Sequence, residues 1–104
     1  MKKVFINGNP FNVHNLLDGF NLFQKQSSNV DFFGTDRNSH CLFVQFKSGS
    51  FCYMYSDVPD KILTWAENAE SIGKFISSEV VGKFQHIKME GKLIKAVPAT
   101  QSAI

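Results

Sequence analysis

The fold is decided at residues 41–56, CLFVQFKSGSFCYMYS, where two β-rich runs flank Ser48 and Gly49. Two such runs separated by two small residues predict a β-hairpin. Pairing around this turn places Gln45 opposite Cys52, and successive side chains alternate between the two faces. One face then carries only apolar and aromatic side chains, and we expect it to be buried: Leu42, Val44, Phe46, Phe51, Tyr53 and Tyr55.

The opposite face of the hairpin carries both cysteines together with Phe43, Gln45 and Met54, and we expect it to be partly exposed. Because Cys52 lies opposite Gln45, it is four residues from Cys41 along the strands, or about 13 Å at ~3.3 Å per residue. A disulfide requires Cα atoms within about 7 Å of each other. The register therefore predicts two free thiols and no disulfide between Cys41 and Cys52.

Length and composition indicate one globular unit. The chain has 104 residues, of which 43% are hydrophobic, and its formal net charge is +2. Such values are typical of a single folded domain. No run approaches the ~18 apolar residues of a membrane span, and the start of the chain lacks the apolar stretch of a signal peptide. We therefore expect a cytoplasmic protein that does not associate with a membrane.

The residues before the hairpin predict a strand and a helix. Val4–Ile6 is a short apolar run followed by Asn7–Pro10, whose Gly and Pro end a strand. A helix is predicted from Asn12 to Phe23 because apolar residues recur there at helical spacing, at Val13, Leu16, Leu17, Phe20 and Phe23.

The residues after the hairpin predict two helices and a strand. Pro59 is a favourable helix start, Ser71 can cap a second helix, and Gly82 is suited to end it. Residues 93–97 predict a last short strand, and residues 98–104 are expected to fray.

Together these elements predict a single α+β domain over residues 1–104. Its small antiparallel sheet, built on the central hairpin, is covered by two or three helices. The helices from Pro59 and Ser71 cover one face, and the N-terminal helix covers the other. Trp65 shares the apolar side of the first of these helices, which favours a core position; the alternative is a protein interface, where Trp is enriched.

Several short motifs of the chain occur in a known order and spacing. They are Gly34-Thr35-Asp36, Lys47-Ser48-Gly49-Ser50, Tyr53-Met54-Tyr55, Val58-Pro59 and the AESIGKF stretch at 69–75. On these residues the chain resembles the KTSC domain family, named after the C-terminus of some lysyl-tRNA synthetases and also found alone in small bacterial and phage proteins. The resemblance spans about 31–88, between an N-terminal extension at 1–30 and a basic tail at 89–104.

The resemblance implies a compact α+β fold and a connection with nucleic acids. Two departures stand out, at Thr35, where the family usually has an aromatic residue, and at 82–88, where it usually has arginines. Lysine lacks the bidentate fork with which arginine holds a phosphate.

RNA or single-stranded DNA is the partner we consider first. Residues 74–104 hold five lysines against Glu79 and Glu90, and lysines can neutralise a phosphate backbone. Aromatic side chains on a sheet can stack on bases. The candidate binding residues are Tyr53, Tyr55, Lys74, Lys83, Lys88, Lys92 and Lys95. Against this, the tyrosines share the face that we expect to be buried, and the lysines suit an ordinary solvated surface.

A protein contact is the alternative function. The chain has 11 phenylalanines, more than a domain of this size readily hides, and surplus apolar surface marks interfaces. A phage-type accessory protein that binds a host protein or a second copy of itself would use Phe11, Phe20, Phe23, Phe43 and Met54.

Catalysis and metal binding are not expected. The three histidines and two cysteines lack the spacing of a zinc site. The sequence has no nucleophile-elbow motif and no phosphate-binding glycine loop. We expect a non-enzymatic protein without a cofactor.

Overall fold

The structure is a computed structural model that describes residues 1–98. The chain begins with a β-hairpin and a 3-10 turn at Asn15–Leu17, and it contains eight strands within the described residues. The strands are β1 (Lys2–Ile6), β2 (Asn9–Val13), β3 (Asn21–Phe23), β4 (Val30–Asp36), β5 (Cys41–Phe46), β6 (Phe51–Tyr55), β7 (His86–Glu90) and β8 (Ile94–Ala96). The helical elements between β6 and β7 are α1 (Asp60–Glu67) and α2 (Ile72–Phe75), which runs directly into a π-helical turn (Ile76–Val80).

The strands form two antiparallel sheets. The larger sheet has five strands in the order β3-β4-β5-β6-β7, and the smaller has three in the order β1-β2-β8. No helix within residues 1–98 is both long enough and apolar enough to cross a bilayer. The predicted fraying at 98–104 falls, beyond Pro98, on residues outside the described part.

The central hairpin has the predicted register. Leu42 lies opposite Tyr55 and Gln45 lies opposite Cys52, and Gly49 in the turn takes a φ of +83° that other residues rarely adopt. Cys41 lies opposite Asp36 of β4. The predicted register, in which Gln45 lies opposite Cys52, is therefore confirmed.

The first face of the large sheet is covered by helices, as expected. Leu42, Val44 and Tyr55 pack against Leu63 of α1 and Ile76 of the π-helical turn. The helix starts match the sequence signals. Pro59 is the N-cap of α1, and the Ser71 hydroxyl accepts a hydrogen bond from the Lys74 backbone N–H at 3.4 Å.

A polar cluster fixes α1 to the large sheet. The buried Thr35 hydroxyl donates to Glu67 Oε2 at 2.6 Å. The Arg37 guanidinium donates two hydrogen bonds, of 2.9 and 3.0 Å, to the same carboxylate. The bond from Arg37 and the one from Thr35 lower the pKa of Glu67, although partial burial opposes them. Thr35 thus has a hydrogen-bonding role at the position where the resemblance leads one to expect an aromatic ring.

The second face of the large sheet is covered at Phe43, Gln45 and Cys52, so the predicted exposure of Phe43 and Gln45 is wrong, whereas Cys41 and Met54 on the same face are partly exposed. The three-stranded sheet packs against it, and Phe43, Gln45 and Cys52 are fully buried. Phe43 and Cys52 belong to a second core with Leu17 and Ile94, against which Met54 packs. The large sheet therefore has an apolar core on each side.

The predicted N-terminal helix is also wrong. Residues 12 and 13 belong to β2, which lies between β1 and β8 in the small sheet. Gly19 then takes a φ of +87°, and the chain continues as β3. Pairing with two strands, one of them distant in sequence, outweighs the helical spacing of the apolar residues.

Candidate nucleic-acid interface

The pairing of β6 with β7 brings aromatic and basic side chains to one face of the large sheet. Lys88 lies opposite Tyr53 and His86 lies opposite Tyr55. The Lys88 ammonium sits 4.0 Å from the centre of the Phe51 ring, and the His86 ring centre is 5.8 Å from that of Tyr53. β7 was not predicted as a strand from the sequence, so these neighbours were not predicted either.

The two candidate tyrosines differ in exposure. Tyr55 is 3% exposed and belongs to the first core. Burial raises the pKa of its hydroxyl, and Tyr53 raises it further. Tyr53 is half-buried, and its ring centre lies 5.8 Å from the Phe46 ring in an edge-to-face arrangement. Tyr53 can therefore contact a ligand, whereas Tyr55 supports it from within the core.

A cavity of about 350 Å³ opens beside Tyr53 at the turn of the hairpin. We call it the aromatic pocket, and its lining residues are Asn29, Phe46, Ser48, Gly49, Phe51 and Tyr53. Three aromatic rings, those of Phe46, Phe51 and Tyr53, form a surface suited to a flat group such as a base.

A second cavity of about 340 Å³ lies between the segment that precedes β4 and the start of α2. We call it the serine pocket, and it is lined by Ser27, Ser28, Asn29, Ser71, Gly73, Lys74 and Ser77. The exposed Ser28 and the exposed cation Lys74 are suited to an anion, whereas the Ser27 and Ser77 hydroxyls donate to Asn29 Oδ1 and to the Gly73 carbonyl. Asn29 lines both cavities, so the two pockets adjoin.

The candidate lysines do not share one surface. Lys88 lies beside Tyr53, and Lys74 lines the serine pocket. Lys92 is half-buried and its ammonium donates to the Lys47 carbonyl at 3.2 Å. Lys83 lies in the loop before β7, and Lys95 lies on β8 in the other sheet, opposite Asn12. Only Lys74 and Lys88 are thus placed next to aromatic or pocket-lining candidates by the contacts described above.

The side chains suggested for a protein interface are largely packed inside the protein. Phe43 is fully buried, so its predicted exposure is wrong. Phe11, Phe20 and Met54 are partly buried against the second core, and Phe23 is partly buried against the first. These phenylalanines are accommodated because the sheet has a core on both sides.

Trp65 is 54% exposed, so its predicted core position is wrong. Its ring meets Phe75 edge to face at 5.6 Å, while Leu63 and Ala66 form the buried side of α1. Other large apolar side chains at the surface are Phe5, Leu16, Val81 and Ile87.

The described residues show no group of three or more His, Cys, Asp and Glu side chains placed to hold a metal ion. His14 instead accepts a hydrogen bond from the Leu16 backbone N–H at 3.0 Å. His40 lies 3.5 Å from Asp60 at the surface.

Comparison with known proteins places both pockets within the part of the chain that a family model matches. The sequence profile of the KTSC domain matches residues 26–84. The crystal structure of a KTSC domain protein from Yersinia pestis superposes with a TM-score of 0.60 at 28% identity, over 67% of this chain and 97% of that chain. No curated protein matches the chain. All residues that line the two pockets lie within 26–84, whereas β1, β2, β3, β7 and β8 lie wholly outside that range.

Proposed function

The chain belongs to the KTSC domain family, and from this premise we propose that it is a small non-catalytic module that binds single-stranded RNA or DNA. The observation that carries the proposal is the pairing of Tyr53 with Lys88 across β6 and β7. It joins a partly exposed aromatic ring to an exposed cation beside a pocket lined by two further rings, Phe46 and Phe51.

The chemistry suits a single strand better than a duplex. Unstacked bases can stack on aromatic side chains, at roughly 1–3 kcal/mol per base, without sequence-specific hydrogen bonds. Lys88 and Lys74 can neutralise phosphates, which makes binding sensitive to salt. Glu90 lies opposite Phe51 on the same sheet face, and its negative charge limits the affinity at that end.

The test is fluorescence anisotropy of labelled single-stranded RNA and DNA at two salt concentrations. We expect binding that weakens as salt rises. Lys88→Gln removes one cation and should reduce the slope of log K against log salt by about 0.7, the value for one phosphate on a single strand. Tyr53→Leu should weaken binding while leaving the salt slope unchanged, because it removes stacking and no charge.

Lys3→Gln is the matched control, because Lys3 is an exposed lysine on β1 in the other sheet. It should leave both affinity and slope near the wild-type values. Affinity that does not change with salt, or an equal loss in Lys3→Gln and Lys88→Gln, would contradict the proposal. Thermal melting of each variant separates a lost contact from a lost fold.

A protein contact is the second candidate, favoured by the exposure of Trp65. A tryptophan that is more than half exposed and rests on Phe75 is a typical anchor of an interface. Self-association through this side chain would appear in light scattering as a mass that rises with concentration and that Trp65→Ala returns to the monomer value. A monomer at every concentration would exclude that form of the contact.

A further inference from the structure

We infer that one nucleotide unit spans the two adjoining pockets, with its base in the aromatic pocket and its phosphate in the serine pocket beside Lys74. The inference rests on the proposed function and assigns it a site. It follows from the juxtaposition of two cavities of different chemistry that share one lining residue, Asn29.

The aromatic pocket provides surfaces for a base. Phe46 and Tyr53 meet edge to face at 5.8 Å, which fixes the orientation of both rings. Ser48 and Gly49 of the hairpin turn form a wall without large side chains. A flat heterocycle can therefore enter beside the rings without displacing a side chain of the turn.

The serine pocket provides groups for a phosphate. Lys74 is exposed at its rim, and the hydroxyl of Ser28 is exposed there too. Lys47 adds a second cation nearby, because its ammonium donates to the Ser27 carbonyl at 2.5 Å. The Ser27 and Ser77 hydroxyls already donate to Asn29 Oδ1 and to the Gly73 carbonyl. A phosphate at this position would therefore accept a hydrogen bond from Ser28 and pair with Lys74.

Asn29, which lines both pockets, lies against Gly73 of α2. The Lys47 backbone N–H donates to the Asn29 carbonyl at 2.8 Å, which fixes the segment to the hairpin. A Cβ atom on Gly73 would lie 2.5 Å from Asn29 Oδ1. Glycine at position 73 therefore allows Asn29 to lie against the first turn of α2, where it borders both cavities.

The experiment compares a nucleotide with its two parts. Amide NMR spectra of the whole protein are titrated separately with adenosine 5′-monophosphate, with adenosine and with inorganic phosphate. We expect the nucleotide to bind at least tenfold more tightly than adenosine or phosphate, and to shift amides in 27–29, 46–53 and 71–74 together. A nucleotide that binds no more tightly than the better of its parts, or that shifts only one of the pockets, overturns the inference.

Variants assign each half of the ligand. Lys74→Gln should bring the nucleotide to the affinity of adenosine, and Phe46→Leu should bring it to the affinity of phosphate. Gly73→Ala forces the Asn29 side chain to rotate and should weaken the nucleotide severalfold while the melting temperature stays near wild type. Lys3→Gln is again the control. Equal affinities in Lys74→Gln and Lys3→Gln would overturn the phosphate assignment.

The outcome is separable from that of the proposed function. Salt-sensitive binding of oligonucleotides without tighter binding of the nucleotide would leave the proposed function standing and remove this site. Tight binding of the nucleotide without binding of oligonucleotides would support the site and contradict the strand-binding function.

Discussion

Replacing Gln45 with methionine tests how the second core is held together. Gln45 is fully buried on β5. Its Nε2 donates to the Ile94 carbonyl at 2.8 Å, and its Oε1 accepts from the backbone N–H groups of Leu93 and Ile94, each at 3.1 Å. Methionine has a similar length and shape but cannot make these three hydrogen bonds. Two N–H groups and one carbonyl of the chain around β8 would lose their partner.

The size of the effect follows from the number of groups left without a partner. A buried polar group without a hydrogen bond costs roughly 1–3 kcal/mol, so three such groups set an upper limit of roughly 9 kcal/mol. At the lower end of that range, each of the three groups costs roughly 1 kcal/mol. We therefore expect Gln45→Met to lower the free energy of unfolding by about 3 kcal/mol.

Urea denaturation followed by circular dichroism measures the free energy of unfolding, and thermal denaturation measures the melting temperature. At about 4–8 °C per kcal/mol for a domain of this size, the melting temperature should fall by roughly 12–24 °C. Gln26→Met is the control, because Gln26 is exposed, and it should change stability by less than about 0.5 kcal/mol. Hydrogen exchange at the Leu93 and Ile94 amides should accelerate in Gln45→Met. A loss below about 1 kcal/mol would show that packing alone holds the two sheets together.

Three further outcomes are expected from the described contacts. The pKa of Glu67 is held below its ordinary 4.5 chiefly by Arg37, so the stabilisation by the ionised Glu67 is present above pH 4.5 and disappears as pH falls through the lower native pKa. On acidification the urea midpoint of Glu67→Gln should therefore decline less than that of the wild type. Equal declines in the two proteins would refute this. Iodoacetamide should label the partly exposed Cys41 in the native protein and the buried Cys52 only on unfolding. Mass spectrometry of peptides measures both labelling rates, and equal rates in the native state would contradict the burial of Cys52. Acrylamide should quench the fluorescence of the exposed Trp65 strongly in the native state, and weak quenching would show that a second copy or an altered helix covers it.

Local signals were sufficient for the parts of the fold that depend on neighbouring residues. The hairpin register follows from a two-residue turn between two β-rich runs, and it was confirmed pair by pair from Leu42–Tyr55 to Gln45–Cys52. The helix start at Ser71 follows from a side-chain cap that acts within one turn, and the start at Pro59 follows from the fixed φ of proline. These features need no knowledge of distant contacts.

Long-range pairing decided the features that the sequence analysis did not obtain. β2 is a strand because β1 and β8 pair with it on both sides, and β8 lies about eighty residues away. β7 did carry a local signal, since Ile87 and Met89 alternate with polar residues, but its partner strand was not evident. The aromatic pocket and the serine pocket likewise depend on Asn29 meeting both the hairpin and α2.

The orientation of two side chains shows why patterns of polarity misled. Gln45 suggested a solvated face, yet it is buried because its amide satisfies the backbone at Leu93 and Ile94. Trp65 suggested a core position, yet the buried side of α1 is centred on Ile62, Leu63 and Ala66 and leaves Trp65 at its edge. A buried polar group needs a partner, and such a partner cannot be read from local sequence.

The segments outside the family match complete the core of this chain. Phe43 and Gln45 lie within residues 26–84, whereas Ile6, Val13, Leu93 and Ile94 of the second core lie outside that range. Without those segments, Phe43 would face water and Gln45 would lose all three of its hydrogen bonds to the region of β8. The terminal strands are therefore structural requirements of this chain, and the pockets that we propose as a nucleotide site lie in the part that it shares with the family.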